Sequence, residues 1–303
     1  MFKGTTAVVI AALSANLGIA AVKLVAALFT GSAVMLAEGI HSLVDTGNQG
    51  LLLLGIRRSK RPPDDKHPFG YAREIYFWAF VVAVMLFTAG GIVTITEGIT
   101  RLSSHGGIEY PMVNLAIIGI AVLLEGYSFS VALREFRAGA GDCPWWRAIE
   151  EEKDPTLYIV LLEDSAALAG LVVALIGLTA AWATGNTVFD AGASIVIGLI
   201  LFATAFYSAH KTRTLLIGES AAPKVVAEVR RLIAETPGTV GIARVSTIHY
   251  GPHDISLTAL VDFEDSVPAG EVEKALADTR ARIREANPDI KRVYLVPAEL
   301  GLA

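Results

Sequence analysis

His41 and Asp45 are the residues of this chain best placed to do chemistry, and both lie inside an apolar run. Ionisable side chains are costly in hydrocarbon, so they face a partner, a cavity or a bound ion. Four residues apart on a helix, an imidazole and a carboxylate share one face, one turn apart. That is half of a tetrahedral site for a divalent metal. Glu163 and Asp164 form a second acidic group inside another apolar run. One His with two or three carboxylates makes an N/O donor set that suits zinc, and also cobalt, manganese or ferrous iron. Adjacent residues point about 100° apart on a helix. Asp164 is therefore the expected ligand, while Glu163 is either a further ligand or a partner for a neighbouring helix. A packing histidine bonded to a carbonyl is the plainer reading of His41, and an Asp one turn away argues against it.

The elements that must position these groups are membrane spans. The chain has 303 residues, 53% hydrophobic and 18% charged, against about a quarter charged in a soluble domain. Six stretches reach the ~20 residues needed to cross a bilayer core. They run over 7–29, 33–56, 75–99, 112–133, 157–182 and 188–209. Short turns at Thr30-Gly31-Ser32 and Thr184-Gly185-Asn186 make helical hairpins of the first and last pairs. The first span has almost no basic segment before it and no small-residue exit after it, so it reads as a retained helix rather than a cleaved signal.

Net charge, −5, says little because the charges are segregated. The basic residues sort to one side: Arg57, Arg58, Lys60, Arg61, Lys66 and Arg73 after the second span, Arg134, Arg137, Arg147 and Lys153 after the fourth, Lys211 and Arg213 after the sixth, and Lys3 before the first. Only Arg101 lies near a membrane end on the other side. The positive-inside rule then places both termini in the cytoplasm, and a bacterial inner membrane is the expected location. Cys143 is the single cysteine, which excludes an internal disulfide framework and any multi-thiolate metal site. Pro144-Trp145-Trp146 is read either as a headgroup-level anchor or as a packed loop.

Further polar residues lie at depth. Lys23 is expected to snorkel to the outer interface. Asp190 is expected to cap the sixth span. Glu38 lies one turn before His41, as an outer-shell group or a ligand in another state. Asn16 is read as an interhelical hydrogen-bonding residue, and Glu125 lies deep in the fourth span.

The chain divides at 213/214, with a six-span domain over 1–213 and a soluble domain over 214–303. After Gly218 the pattern reads helix, strand, strand, helix, strand, a small α+β unit of ferredoxin-like type whose core would gain from dimerisation.

Leu36-Ala-Glu-Gly-Ile-His41-Ser-Leu-Val-Asp45 and Arg61-Pro-Pro-Asp-Asp-Lys-His67-Pro-Phe-Gly70-Tyr, with six spans and a carboxy-terminal α+β domain, give the chain a specific resemblance. It resembles the cation diffusion facilitator family over nearly its whole length. The resemblance implies an α-helical membrane protein with six transmembrane helices and a cytoplasmic ferredoxin-like domain. It implies export of zinc and related divalent ions (manganese, cobalt, iron, cadmium) in exchange for protons, by alternating access, from a homodimer in the bilayer, with no nucleic-acid partner. It also implies His41, Asp45 and Asp164 as metal ligands. The family pairs a His/Asp-x-x-x-Asp on the second span with another on the fifth. Here Val160 stands where the fifth-span partner of Asp164 is expected. Glu163 or a water is left for the fourth position, and Glu163-Asp164 resembles the branch that contains a mitochondrial zinc transporter.

Two accessory sites of the family are degraded in this chain. Asp64 and His67 match ligands of one, but Tyr71 replaces its other His, which favours a structured loop. His249 and His253 flank Gly251-Pro252 without the family's binuclear cluster and read as exposed turn residues, so the terminal domain is assigned to dimerisation rather than sensing. Two other classes remain. A non-transporting metal-binding scaffold would fit the incomplete fifth-span pair. A membrane-embedded metallohydrolase would need an activated water, but the chain has no His-Glu-x-x-His pattern, and it is read as not an enzyme.

Overall fold

The computed structural model describes residues 5–30, 33–103, 111–140 and 144–299, with the side chains of 27, 30, 33–41, 103, 111 and 140 outside that description. The side chains of Glu38 and His41, the Gly31-Ser32 turn, Cys143 and Lys3 therefore lie outside the described residues. The chain forms two compact units, Met1–Arg213 and Thr214–Ala303.

The first unit is helical: α1 (Thr5–Thr30), α2 (Ala33–Ser59), α3 (Glu74–Met85), a π-helical stretch (Leu86–Ile92), α4 (Val93–Ser103), α5 (Pro111–Ala140), α6 (Trp145–Glu151), α7 (Pro155–Thr184) and α8 (Val188–Ile217). α3, the π stretch and α4 run on as one span. Among the described residues, five helices are long and apolar enough to cross a membrane, and α2, 27 residues long, is the sixth. Several helices overshoot the apolar runs. α5, α7 and α8 have 30 residues each, about 45 Å at 1.5 Å per residue, against a hydrocarbon core of about 30 Å.

Local chemistry sets the helix ends. Pro155 opens α7 in the first helical position, where its missing N–H is no loss. Asp154 caps it by accepting from the Thr156 amide at 3.0 Å. The other carboxylate oxygen of Asp154 accepts from Thr5 at 2.6 Å, which fixes the start of α1 beside the start of α7. Gly185, at φ 68°, closes α7 in the left-handed region that favours glycine. Asn186 Oδ1 then accepts from the Val188 amide at 3.0 Å. The expected cap, Asp190, instead takes Arg101 Nη1 at 3.1 Å, while Arg101 Nη2 bonds Glu97 at 2.7 Å. The Val188 amide at the start of α8 is already met by Asn186, so the aspartate was free to hold the facing helix.

The π stretch is the main departure from the uniform third helix expected over 75–99. It contains Ala89-Gly90-Gly91, and the Thr88 hydroxyl bonds back to Val84 O at 3.0 Å. Small residues and a hydroxyl in the backbone ladder are recognised causes of such irregularities. α8 approaches closely here. A Cβ on Gly198 would lie 2.6 Å from Ile95 Cγ1 and 2.8 Å from Ile95 N; one on Gly98 would lie 2.8 Å from Ile195 Cγ1. Small residues let helix backbones meet in a membrane, where packing replaces the hydrophobic drive.

The short helix α6 occupies part of what reads in sequence as a loop. Its Trp145 and Trp146 are exposed and stand edge to face at 6.1 Å. Lys211, expected in a loop, is a buried residue of α8. It donates to Ile149 O of α6 and lies 4.4 Å over the Tyr158 ring, whose hydroxyl bonds Thr212 at 2.7 Å.

In the second unit, β1 (Thr239–Gly251) pairs antiparallel with β2 (Asp254–Phe263), and β2 pairs parallel with β3 (Ile290–Pro297). α10 (Ala269–Ala286) is the crossover that a parallel pair requires. α9 (Pro223–Ala234) and α10 cover the sheet with Val229, Leu232, Ile233, Leu276 and Ile283. Arg292 forks onto Asp254 at 2.6 and 3.2 Å.

The glycine contacts carry a prediction. Gly198→Val should destabilise the first unit by about 1–3 kcal/mol, because the added carbons meet backbone as well as side chain. Gly192→Ala, with open space at the Cβ position, should leave the thermal midpoint in detergent unchanged. Equal midpoints for Gly198→Val and the parent would show that these helices are not in contact.

Candidate metal-transport site

α2 presents 41, 45 and 49 at helical spacing along one stripe, and α7 presents Glu163 and Asp164. The helical offset between the two α7 carboxylates sends them to different neighbours. Glu163 faces α2 and accepts from Gln49 Nε2 at 2.9 Å. Asp164 faces α5 and accepts from Ser128 Oγ at 2.7 Å. Both are buried, as are Gln49, Ser128 and Glu125. Asp45 is half-buried and lies within electrostatic reach of Glu163 and of Glu125; Glu125 is also within reach of Asp164 and Lys23.

α1, α2, α5 and α7 thus gather four carboxylates, three buried and Asp45 half-buried, with the half-buried ammonium of Lys23. In this arrangement Glu163, not Asp164, is the α7 carboxylate turned toward the α2 stripe. Asp164 is held by a serine that sequence reading did not single out. Among the described residues no three His, Cys, Asp or Glu side chains converge tightly enough to hold one ion. The His41 side chain lies outside that description.

Gln49 and Ser128 are the residues missed in the sequence. Gln49 lies four residues after Asp45 and eight after His41, so its place on the stripe was readable from spacing. Ser128 lies three residues after Glu125, on the same face of α5. Gln49 Oε1 and Glu163 Oε1 are both buried without a hydrogen-bond partner. Buried oxygens left this way usually mark a place for water or an ion. They are hard donors that would add to the oxygen share of any metal site.

Lys23 does not snorkel as expected. Its Nζ donates to Ser42 Oγ at 3.2 Å, beside His41 in sequence.

The loop between α2 and α3 is built on Asp64. Its Oδ1 accepts from the His67 amide at 2.7 Å and the Lys66 amide at 3.0 Å, and its Oδ2 accepts from the Tyr71 hydroxyl at 2.5 Å. The His67 ring stacks on Tyr71 at 4.3 Å, and Gly70 turns the chain at φ 81°. Tyr71 thus ties the loop together. In the second unit, His249 is buried rather than exposed, because it lies on the covered end of β1. Its Nδ1 contacts Gly251 O at 3.1 Å. His253 is exposed and lies 3.4 Å from Asp289.

With this geometry in view, comparison with known proteins decides the family. Residues 9–217 match the cation efflux transmembrane domain. The chain belongs to the cation diffusion facilitator family. It is 33% identical over 270 residues, 88% of its length, to the mitochondrial proton-coupled zinc antiporter SLC30A9 of Homo sapiens. It is 32% identical over 240 residues, 77% of its length and 52% of the relative's, to metal tolerance protein C4 of Arabidopsis thaliana. It is 22% identical over 95% of its length, and 94% of the relative's, to the manganese efflux system protein MneP of Bacillus subtilis. The chain spans about half (47%) of the human protein. This family member is a multi-pass membrane protein with the helical architecture and terminal α+β unit expected of it.

The Asp64 loop yields a pH prediction. The Tyr71 hydroxyl, followed by the His67 amide, holds the Asp64 carboxyl below its ordinary value, and the same bond raises the Tyr71 phenol. A depressed carboxylate stabilises the loop at pH above the ordinary value, about 3.9. That contribution is lost as pH falls through the lowered folded value. Tyr71→Phe should therefore move the Asp64 titration upward, toward about 3.9, as read by carboxyl carbon shifts in labelled protein. An unmoved titration would mean that the phenol does not bond Asp64 in solution.

Proposed function

We propose that this chain exports divalent metal ions from the cytoplasm in exchange for protons, with zinc as its first cargo. The observation that carries the reading is the gathering of buried carboxylates on α2, α5 and α7 in a member of a cation efflux family. The relatives' names support it: one is a proton-coupled zinc antiporter and another a manganese efflux protein. His41, Asp45 and Asp164 are assigned as ligands, and Glu163 as the fourth. Manganese is the second cargo, favoured by oxygen donors such as Glu163 and Gln49.

In the mechanism, the ion enters between α2 and α7 and is taken by His41 and Asp45 from one side and Glu163 from the other. Asp164 completes the site by leaving Ser128. Ligation requires neutral imidazole and ionised carboxylates, so protons compete with metal for the same groups. His41 is the best proton carrier because its reference pKa lies near physiological pH. Rocking of the helices then exposes the site to the other side, where protons replace the ion.

The same reading assigns residues 1–213 to the membrane and 214–303 to a cytoplasmic domain that supports a homodimer, with both chain ends on the cytoplasmic side. A bacterial inner membrane remains the assigned location, although the human relative is mitochondrial. The chain acts as a transporter rather than an enzyme.

In proteoliposomes, Asp45→Ala and Asp164→Ala should each reduce zinc flux to the level of empty vesicles without lowering the thermal midpoint. Parental flux in either variant would overturn the ligand assignment. An imposed pH gradient should change the rate of parental zinc flux. A rate indifferent to the gradient would exclude proton exchange while leaving metal transport standing.

A further inference from the structure

We propose that Lys23 is an internal counter-cation of the buried carboxylates, one that competes with the transported ion and keeps its binding weak enough for release. The inference rests on the metal-transport reading above and adds a residue to it.

The side chain's surroundings carry the argument. Lys23 lies within the apolar helix α1, where an ordinary lysine would run its ammonium out to water and headgroups. This ammonium is instead bonded to Ser42 Oγ at 3.2 Å, and Ser42 is buried on α2. It also acts electrostatically on Glu125 of α5, which is itself within reach of Asp45 and Asp164. The positive charge therefore belongs to the same group of side chains as the proposed ligands, reached from a helix that supplies no ligand.

Such a charge has two effects. Several carboxylates gathered in a low-dielectric interior repel one another and resist burial as anions. A resident cation compensates part of that charge while no metal is bound. When a divalent ion arrives, the same cation repels it. Transport needs a site favourable enough to fill and weak enough to empty. A site of three ligand carboxylates with Glu125 beside them, all uncompensated, would hold a divalent ion too tightly, and Lys23 sets the balance. Its bond to Ser42 keeps the ammonium within electrostatic reach of Glu125 instead of at the interface.

The test uses full-length protein in nanodiscs, with zinc alone and manganese alone as probes, measured by calorimetry. Lys23→Met should bind both ions more tightly by a factor on the order of two hundred, the effect of removing one unit charge roughly 10 Å from a divalent ion at an effective dielectric of about 20. Lys23→Gln should do the same, which separates lost charge from altered packing. Lys23→Arg keeps the charge and should stay near the parental affinity. In proteoliposomes, zinc flux in Lys23→Met should fall below the parental rate at saturating zinc, because release slows. A purely structural role would weaken binding, so the sign of the change decides. Unchanged or weaker binding in Lys23→Met and Lys23→Gln, with parental thermal midpoints, would overturn the inference. Tighter binding with faster flux would overturn it as well. Absence of ion binding by the parental protein would overturn both this inference and the transport-site reading.

Discussion

The cost of burying carboxylates governs the arrangement of the first unit. Asp45, Glu125, Glu163 and Asp164 come from three helices, and three of the four are buried. In hydrocarbon no bulk water relieves such groups. Each must be answered by a donor, a cation or a proton. The helices supply part of the answer: Gln49 donates to Glu163, Ser128 donates to Asp164, and the Lys23 ammonium lies near Glu125. The remainder is visible in the unpartnered oxygens of Gln49 and Glu163. Under the proposed transport this incomplete satisfaction would be required, because a fully bonded set of ligands would have nothing left for an ion.

Holding these groups at depth depends on helix ends and close packing. Asp154 begins α7 and binds Thr5 at the start of α1, so two of the helices that line the site share an anchor. At the other end, Arg101 joins α4 to Asp190 of α8. Between those ends, glycines on α4, the π stretch and α8 bring backbones within van der Waals contact. None of these features touches the carboxylates. They fix the frame against which α2 and α7 are set, and in a membrane such packing must do what hydrophobic burial does in water.

Much of this was legible in the sequence. Long apolar runs announce spans, and a helical spacing of four announces a shared face, so His41, Asp45 and the two α7 carboxylates stood out. What the sequence pattern could not carry was orientation about the helix axis. Adjacent Glu163 and Asp164 were bound to diverge, but which one faced α2 depended on how α7 is rotated, and that is set by contacts from other helices. Gln49 was hidden because an uncharged amide draws no attention in a polar stripe. Lys23 was assigned to the interface because that is where isolated lysines go; its bond to Ser42 is a tertiary fact. The same holds for Lys211, whose place under α6 depends on a short helix that its flanking polar residues disguise as a loop. In the second unit, His249 is buried because its end of β1 is covered, which the turn residues around Pro252 do not reveal.

The divergence of Glu163 and Asp164 gives the departure from the family pattern a physical meaning. A pair spaced by four residues on α7 would present both groups to the same neighbour, making a site with one orientation. Two adjacent carboxylates serve two neighbours at once, one on α2 and one on α5. About 100° separates them, so no small rotation of α7 exchanges their roles, and each carboxylate must reach an ion from its own side of the helix. In the proposed cycle Asp164 would leave Ser128 and Glu163 would leave Gln49 for the same ion. Hydrogen bonds to neutral partners are individually modest, about 1 kcal/mol net or somewhat more where a charge is involved, so neither bond would lock the helix. In that cycle Gln49 and Ser128 would be resting partners for carboxylates that a divalent ion reclaims. With acids side by side rather than four residues apart, α7 serves two neighbouring helices at once.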